Sequence, residues 1–342
     1  MSEKKKISLI IPSISKEFFV NDLLKNICLW TLKPSEIIII NTSEKKIQIL
    51  NELNKFFKKK KINIKIIKKN LYPGAARNLG VLNSSYDYIV FLDMNTVVYK
   101  RDWLEVNFNF LIKKKLEGLR GQTYYLANSY KEKIIRASTF GKRVLTTIPG
   151  SIYTKKTIQK VGKFSSITRA GEDADWLSRL NNLNLRLDDS IEPIYYKGLY
   201  NVSYLDIIIK WFRNYSFSAN FPHLKRQKDL YFLILFIFVF FSAINWNSSW
   251  INLNTGIEFF IPHITKIFLG LSAIIYISIR GFYIPMIKKI RLKYLLPFNI
   301  IIISFFSFIL DLVKLLAFSL SYFLKWLNLD IKKYKKLQTL FR

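Results

Sequence analysis

The chain has 342 residues, enough for more than one core, and a formal charge of +31 from 54 Lys and Arg against 23 Asp and Glu. One cysteine, Cys28, and two isolated histidines, His223 and His263, exclude a disulfide framework and a Cys/His metal cluster. The lysines are scattered or sit in solvated runs such as 58–61 and 113–115, which argues against nucleic acid as a partner. The basic balance suits an anionic bilayer surface or a polyphosphate ligand, although a general Ile/Lys/Asn bias accounts for much of it.

Ile7-Ser8-Leu9-Ile10-Ile11 predicts a buried strand ended by Pro12-Ser13. Residues 17–31 place Phe18, Phe19, Leu23, Leu24 and Ile27 at helical spacing, and Pro34 stops that helix. Ile37–Ile40 predicts a second strand closed by Asn41-Thr42-Ser43; a helix over roughly 44–58 and a third strand, Ile62–Ile67, follow. Strands and helices alternating in this way predict a parallel, doubly wound sheet with its strand ends on one side.

Next comes Asn70–Gly80. Pro73-Gly74 predicts a turn, and Ala75 opens a helix whose free N–H groups, with Arg77, suit an anion. Tyr88–Leu92 is a short apolar run that stops at Asp93-Met94-Asn95-Thr96, and in an open α/β sheet the ligand crevice lies beyond such strand ends. Asp93 there either holds a divalent cation through oxygen or merely ends the strand in a turn. A helix is expected over Trp103–Ile112, then a turn-rich, aromatic stretch, 118–150, as the seat of specificity. Ser151–Tyr153 predicts a short strand leading to a helix near 154–161. Glu172, Asp173 and Asp175 open an amphipathic helix, as dipole compensation or as reactive carboxylates.

Taken in order, these pieces resemble a family 2 glycosyltransferase of the GT-A fold. The resemblance covers residues 5–220 and rests on the first strand with Pro12, Gly74-Ala75-Ala76-Arg77-Asn78-Leu79-Gly80, Phe91-Leu92-Asp93, Val161-Gly162-Lys163-Phe164 and Gly171-Glu172-Asp173. It implies a Rossmann-like α/β domain with a mostly parallel sheet. It also implies that Asp93 and Asn95 hold Mg²⁺ or Mn²⁺ against the diphosphate of a nucleotide-sugar, with Asp173, beside Glu172, as general base. Donor contacts would come from Pro12, Ser13, Asn41, Gly74, Arg77 and Asp93, and acceptor contacts from Trp176, Arg213 and Tyr215. Asn95 stands where the family has a second aspartate, Asn41-Thr42-Ser43 where acidic residues are usual, and Ser13-Ile14-Ser15 where Tyr-Asn is common.

The C-terminal third is apolar. Leu230–Trp250 is free of formal charge, Ile267–Ile287 is broken by Arg280 and Pro285, and Tyr294–Leu324 is interrupted by Asp311 and Lys314. Arg280 can snorkel to the near interface. Loop 251–266 holds one Lys and one Glu, whereas 280–293 holds five cations, which points residues 1–229 to the cytoplasm. Met1–Lys6 is too short and charged for a signal peptide. Tyr204–Phe217 is amphipathic, suited either to lie on an anionic leaflet or to cover the sheet.

The expected organisation is a GT-A domain over 1–202, an amphipathic juxtamembrane segment over 203–228, an α-helical membrane domain with two or three spans over 229–327, and a basic tail over 328–342. The expected activity is inverting transfer of a sugar to a lipid-linked or cell-envelope acceptor at the cytoplasmic face of the inner membrane. A polyprenyl-phosphate acceptor and a catalytically silent membrane scaffold are the alternatives.

Overall fold

A computed structural model describes residues 6–13, 17–218, 221, 225–243 and 264–327. They form two compact units, one holding residues up to Glu132 and Arg143–Ser203, the other Lys133–Lys142 and Tyr204–Leu327.

In the first unit the isoleucine-rich runs become β1 (Ile7–Ser13) and β2 (Glu36–Asn41), buried along nearly their whole length. They pair in parallel with each other, with β3 (Asn63–Lys68) and with β4 (Tyr88–Phe91). Helices α1 (Glu17–Cys28), α2 (Asn51–Lys59) and α3 (Pro73–Leu82) make the crossovers. Period-2 alternation divides the apolar side chains between the two faces. Leu9, Ile11, Ile37 and Ile39 join one core with α1 and α2, while Ile10, Ile89 and Phe91 join another. The α/β fold class is therefore as the sequence predicts.

The far half of the sheet departs from that reading. β5 (Thr96–Val97) and α4 (Trp103–Lys113) follow β4. The stretch 118–150 then forms β6 (Gly118–Tyr125), α5 (Tyr130–Ser138) and most of β7 (Leu145–Thr154), not a series of turns. β7 runs antiparallel to both β4 and β6. The glycines that read as turns are close approaches: a Cβ on Gly121 would strike the carbonyl oxygens of Pro149 and Thr147. Two short strands, β8 (Leu187–Asp189) and β9 (Ile194–Tyr196), pair in parallel with β6, and β9 takes β5 antiparallel. Between β7 and β8 lie α6 (Lys155–Val161) and α7 (Glu172–Asn181). α2 starts later than its apolar pattern suggests, because the Asn21 side chain bonds Gln48 O and Leu50 N and holds that stretch out of a helix.

The second unit is helical. α8 (Tyr204–Ser218) lies along the last helix, Asn299–Trp326, with Tyr204 against Phe306, Tyr215 against Phe318 and Ile207 fully buried. Residues 133–142 fold with these helices: Ile134 and Ala137 share a core with Ile290, Leu295 and Ile303. Two helices, Ile267–Ile287 and Asn299–Leu324, are long and apolar enough to cross a membrane. Of the expected span Leu230–Trp250, α9 (Lys225–Ala243) describes the first part; the remainder, with residues 251–263 and the tail 328–342, lies outside the described residues.

Arg280 does not snorkel. It sits in a π-helical stretch, Ile277–Tyr283, and its Nε lies 2.7 Å from Asp311 Oδ2 on the last helix. Tyr231, Tyr276 and Lys314 also donate to Asp311, so the expected interruptions of two apolar segments neutralise one another.

One buried carboxylate fastens the parallel strands. Glu36, 2 % exposed, accepts from Ser8 Oγ at 2.6 Å and from the Ser85 backbone and hydroxyl, with Lys65 at 3.4 Å. Burial pushes its carboxyl up, but these donors outweigh burial and hold it below the usual range. The stability it contributes is present above the unfolded pKa and is lost as pH falls through the depressed folded value. Glu36→Ala strands the buried donors and is expected to cost about 2–4 kcal/mol by chemical denaturation, a loss that shrinks in acid.

Candidate active site

Asp93 follows the carboxyl end of β4, a strand paired on both sides, as expected, and its side chain is 28 % exposed. Its neighbour comes from α3. Arg77, 4 % exposed, directs Nη2 to Asp93 Oδ1 at 3.4 Å and Nη1 to Glu172 Oε1 at 2.9 Å. The two acidic motifs, far apart in sequence, therefore meet on the two arms of one guanidinium. Burial alone would depress Arg77; Asp93, Glu172 and Asp173 more than offset this and raise it.

Three local devices set α3 against the segment before α7. Gly74 sits so close to the Ser165 carbonyl oxygen and the Glu172 side chain that a Cβ would collide with the former. Asn78 hooks the backbone of Phe164 twice, donating to its O at 2.8 Å and accepting from its N at 2.9 Å. The Arg77 guanidinium lies 5.7 Å from the centre of the Phe164 ring. Gly171, at φ +82, then turns the chain into α7.

The carboxylates that open α7 have separate environments. Glu172 is buried, and burial with the adjacent Asp173 pushes it up to about 7 while Arg77 pulls it back. Asp175 is held by Arg179 at 3.1 Å. Asp173 is half-buried and makes no ion pair among the described residues; its Oδ1 accepts only from the next backbone amide, Ala174 N, at 2.8 Å. Of the three it is the one whose side chain has no ion pair among the described residues.

Asn95, two residues beyond Asp93, has a buried Oδ1 with no hydrogen-bond partner and lines a cavity of about 160 Å³ with Asp22, Met94 and Lys197. No group of three His, Cys, Asp or Glu that could hold a metal occurs among the described residues. The amide oxygen lacking a donor suits a hard divalent cation that keeps water or phosphate as other ligands, while Asp93, two residues before it, lies outside the lining of that cavity.

Several expected contacts take other roles. Arg77 has its fork filled by two carboxylates, so it does not stand open to a phosphate. Gly74 is a packing position and not an anion cradle. Asn41 is 1 % exposed and closes its own turn, donating to Lys45 O at 2.7 Å and accepting from Ser43 N and Oγ. Trp176 is no platform: it is fully buried, stacked on Phe164 at 4.7 Å, with its indole N–H on Gly162 O. Pro12 and Ser13 end β1, with Ser13 Oγ 3.5 Å from Met94 Sδ. Arg213 and Tyr215 belong to α8 in the second unit, where Lys314 lies over the Tyr215 ring.

Sequence reasoning missed Tyr125 and Tyr196. They face each other at 5.3 Å across paired β6 and β9, and both hydroxyls are pushed up, first by burial and then by surrounding charges that include Asp93 and Asp173. The doubled tyrosines, 124–125 and 195–196, are the only sequence signal for them.

The Glu172 shift predicts a pH signature. An acid whose folded pKa lies above its unfolded value favours the folded state while protonated, and that advantage is lost as pH rises from the ordinary carboxylate range to about 7. Glu172→Gln is expected to flatten this fall in thermal stability, measured by melting the solubilised chain between pH 4.5 and 8.

Residues 8–165 match the family described as Glycosyl transferase family 2. An uncharacterized glycosyltransferase of Rickettsia conorii is 31 % identical over 184 residues, which cover 51 % of this chain and 30 % of that protein. An uncharacterized glycosyltransferase of Haemophilus influenzae is 28 % identical over 156 residues, 44 % of this chain and 60 % of that one. The chain thus spans less than a third of the length of the Rickettsia relative. Among solved structures, S. aureus TarS 1–349 in complex with UDP-GlcNAc aligns with a TM-score of 0.44 and 13 % identity, covering 95 % of this chain and 93 % of that one. The mannosyltransferase PcManGT from Pyrobaculum calidifontis, in complex with GDP-Man and Mn²⁺, gives 0.42 and 9 % over 62 % of each chain. The likeness to Glycosyl transferase family 2 thus runs over residues 8–165, somewhat under half of the chain.

Proposed function

We propose that the chain is an inverting glycosyltransferase that moves a sugar from a nucleoside-diphosphate donor to a hydroxyl of a lipid-linked or cell-envelope acceptor. The observation that carries the reading is the meeting of Asp93 and the Glu172-Asp173 pair around Arg77. A donor's diphosphate would sit beyond β4, with Asp93 and Asn95 holding Mg²⁺ or Mn²⁺ beside it. That cation would neutralise charge building on the leaving group. Asp173 accepts the proton of the acceptor hydroxyl as its oxygen attacks the anomeric carbon from the face opposite the leaving diphosphate, which inverts that centre. Glu172, paired with Arg77, stays behind it as support. Pro12 and Ser13, beside Met94 at the end of β1, border the donor side. The tyrosines 125 and 196 wall the cluster and limit water near the reacting atoms.

The two long apolar helices support membrane attachment, and the cations Lys288, Lys289, Arg291 and Lys293 between them favour the cytoplasmic side of an inner membrane for that connection; a further crossing by the apolar run 230–250, read from the sequence, would bring the catalytic unit to the same side. Membrane attachment in turn supports a membrane-borne acceptor.

The test is turnover of UDP-, GDP- and dTDP-sugars by membranes containing the chain, with and without Mn²⁺. Asp173→Asn is expected to lower transfer about a thousandfold. Asp93→Ala is expected to abolish both turnover and its metal dependence. Donor binding without turnover across the panel would replace the enzyme with a scaffold. Transfer that survives Asp173→Asn would point to a lipid phosphate acceptor, which needs no base.

A further inference from the structure

We propose that Arg77 is a positioning residue that fixes the spacing of Asp93 from the Glu172-Asp173 pair, and not a ligand of the donor phosphates. The inference deepens the glycosyltransferase reading and rests on it for the kinetic arm of its test.

Both sides of Arg77 are tied down. Gly74, three residues before it, is pressed against Ser165 and Glu172, and Asn78, the next residue, is hooked twice to Phe164. The α3 backbone therefore cannot swing its arginine towards a ligand without breaking contacts on either side. The guanidinium is 5 % exposed and its two terminal nitrogens are engaged by carboxylates at 2.9 Å and 3.4 Å. A diphosphate reaching it would have to displace Asp93 or Glu172. Displacing Glu172 would leave a buried carboxylate without its cation, an arrangement strongly disfavoured inside a protein. The planar fork also does what lysine cannot: it holds two acceptors at a set angle and separation. Because Asp93 follows the carboxyl end of β4 and Glu172 opens α7, this separation is also the distance between the donor side and the base side of the proposed site.

The test compares Arg77→Met, Arg77→Lys, Glu172→Gln and the double variant Arg77→Met/Glu172→Gln in the full chain. The expected kinetic result for Arg77→Met is a fall in kcat of about a hundredfold with the donor KM within about threefold, since displacement of reacting groups costs on that order. Arg77→Lys, which keeps the charge but not the fork, is expected to recover stability while recovering little of kcat. Melting temperature needs no activity: Arg77→Met is expected to lower it by roughly 5–10 °C at pH 7.5, and adding Glu172→Gln to restore part of the loss. A donor KM raised tenfold with kcat intact would overturn the proposal in favour of a phosphate contact. Additive melting losses in the double variant would overturn it as well. If the wild-type chain turns over no donor, the glycosyltransferase reading fails, and the melting cycle still decides whether Arg77 and Glu172 act as a pair.

Discussion

A buried guanidinium with a carboxylate on each arm is the constraint on which the meeting of the two acidic motifs depends. Without its cation, Glu172 would be an uncompensated charge in the interior beside Asp173. With it, Asp93 and Glu172 are both engaged, and among the described residues Asp173 makes no ion pair. The glycine and asparagine flanking Arg77 serve the same end through backbone contact. The stretch from residue 74 to 80 thus ties the carboxyl end of β4 to the segment that leads into α7, although its composition resembles an anion-binding turn.

That difference marks the limit of what residue types disclose. The buried parallel strands were legible because runs such as Ile37–Ile40 have one physical reading, and the α3 and α7 motifs were legible because charge and glycine cluster there. The destination of each polar group was not. Arg77, Asn41 and Trp176 are residue types that serve ligands and cores equally well, and only tertiary contact decides which. The same holds for β6 and β7, whose glycines permit backbone close approach and yet read as loop punctuation. Tyr125 and Tyr196 come together because β9 pairs beside β6, and β9, with three residues, is too short to have a pattern of its own.

The helical unit shows the same principle in an apolar setting. Asp311 gathers two tyrosines, an arginine and a lysine from three helices, so that charges expected to interrupt membrane segments satisfy each other inside the unit. Gly281, beside Arg280 in the π-helical stretch, leaves room for the last helix to approach at Ile300 and Ser304. The outward stripe of that helix, Ile301, Phe305, Phe308, Leu312 and Leu316, is exposed and apolar, while Ser304, Ser307 and Lys314 face in. Ile303, Leu310 and Phe318 face in beside them, so it is the wholly apolar exposed stripe that suits a surface facing hydrocarbon.

Ten residues from the middle of the chain fold among the C-terminal helices, and this bears on how the protein can be handled. Cutting after Ser203 to obtain a water-soluble fragment would not free a finished module. Ile134 and Ala137 would lose Ile290, Leu295 and Ile303, and Lys142 N its bond to Lys288 O, leaving a sticky apolar tongue that favours aggregation. Residues 133–142 are, in this sense, part of the helical unit's own packing.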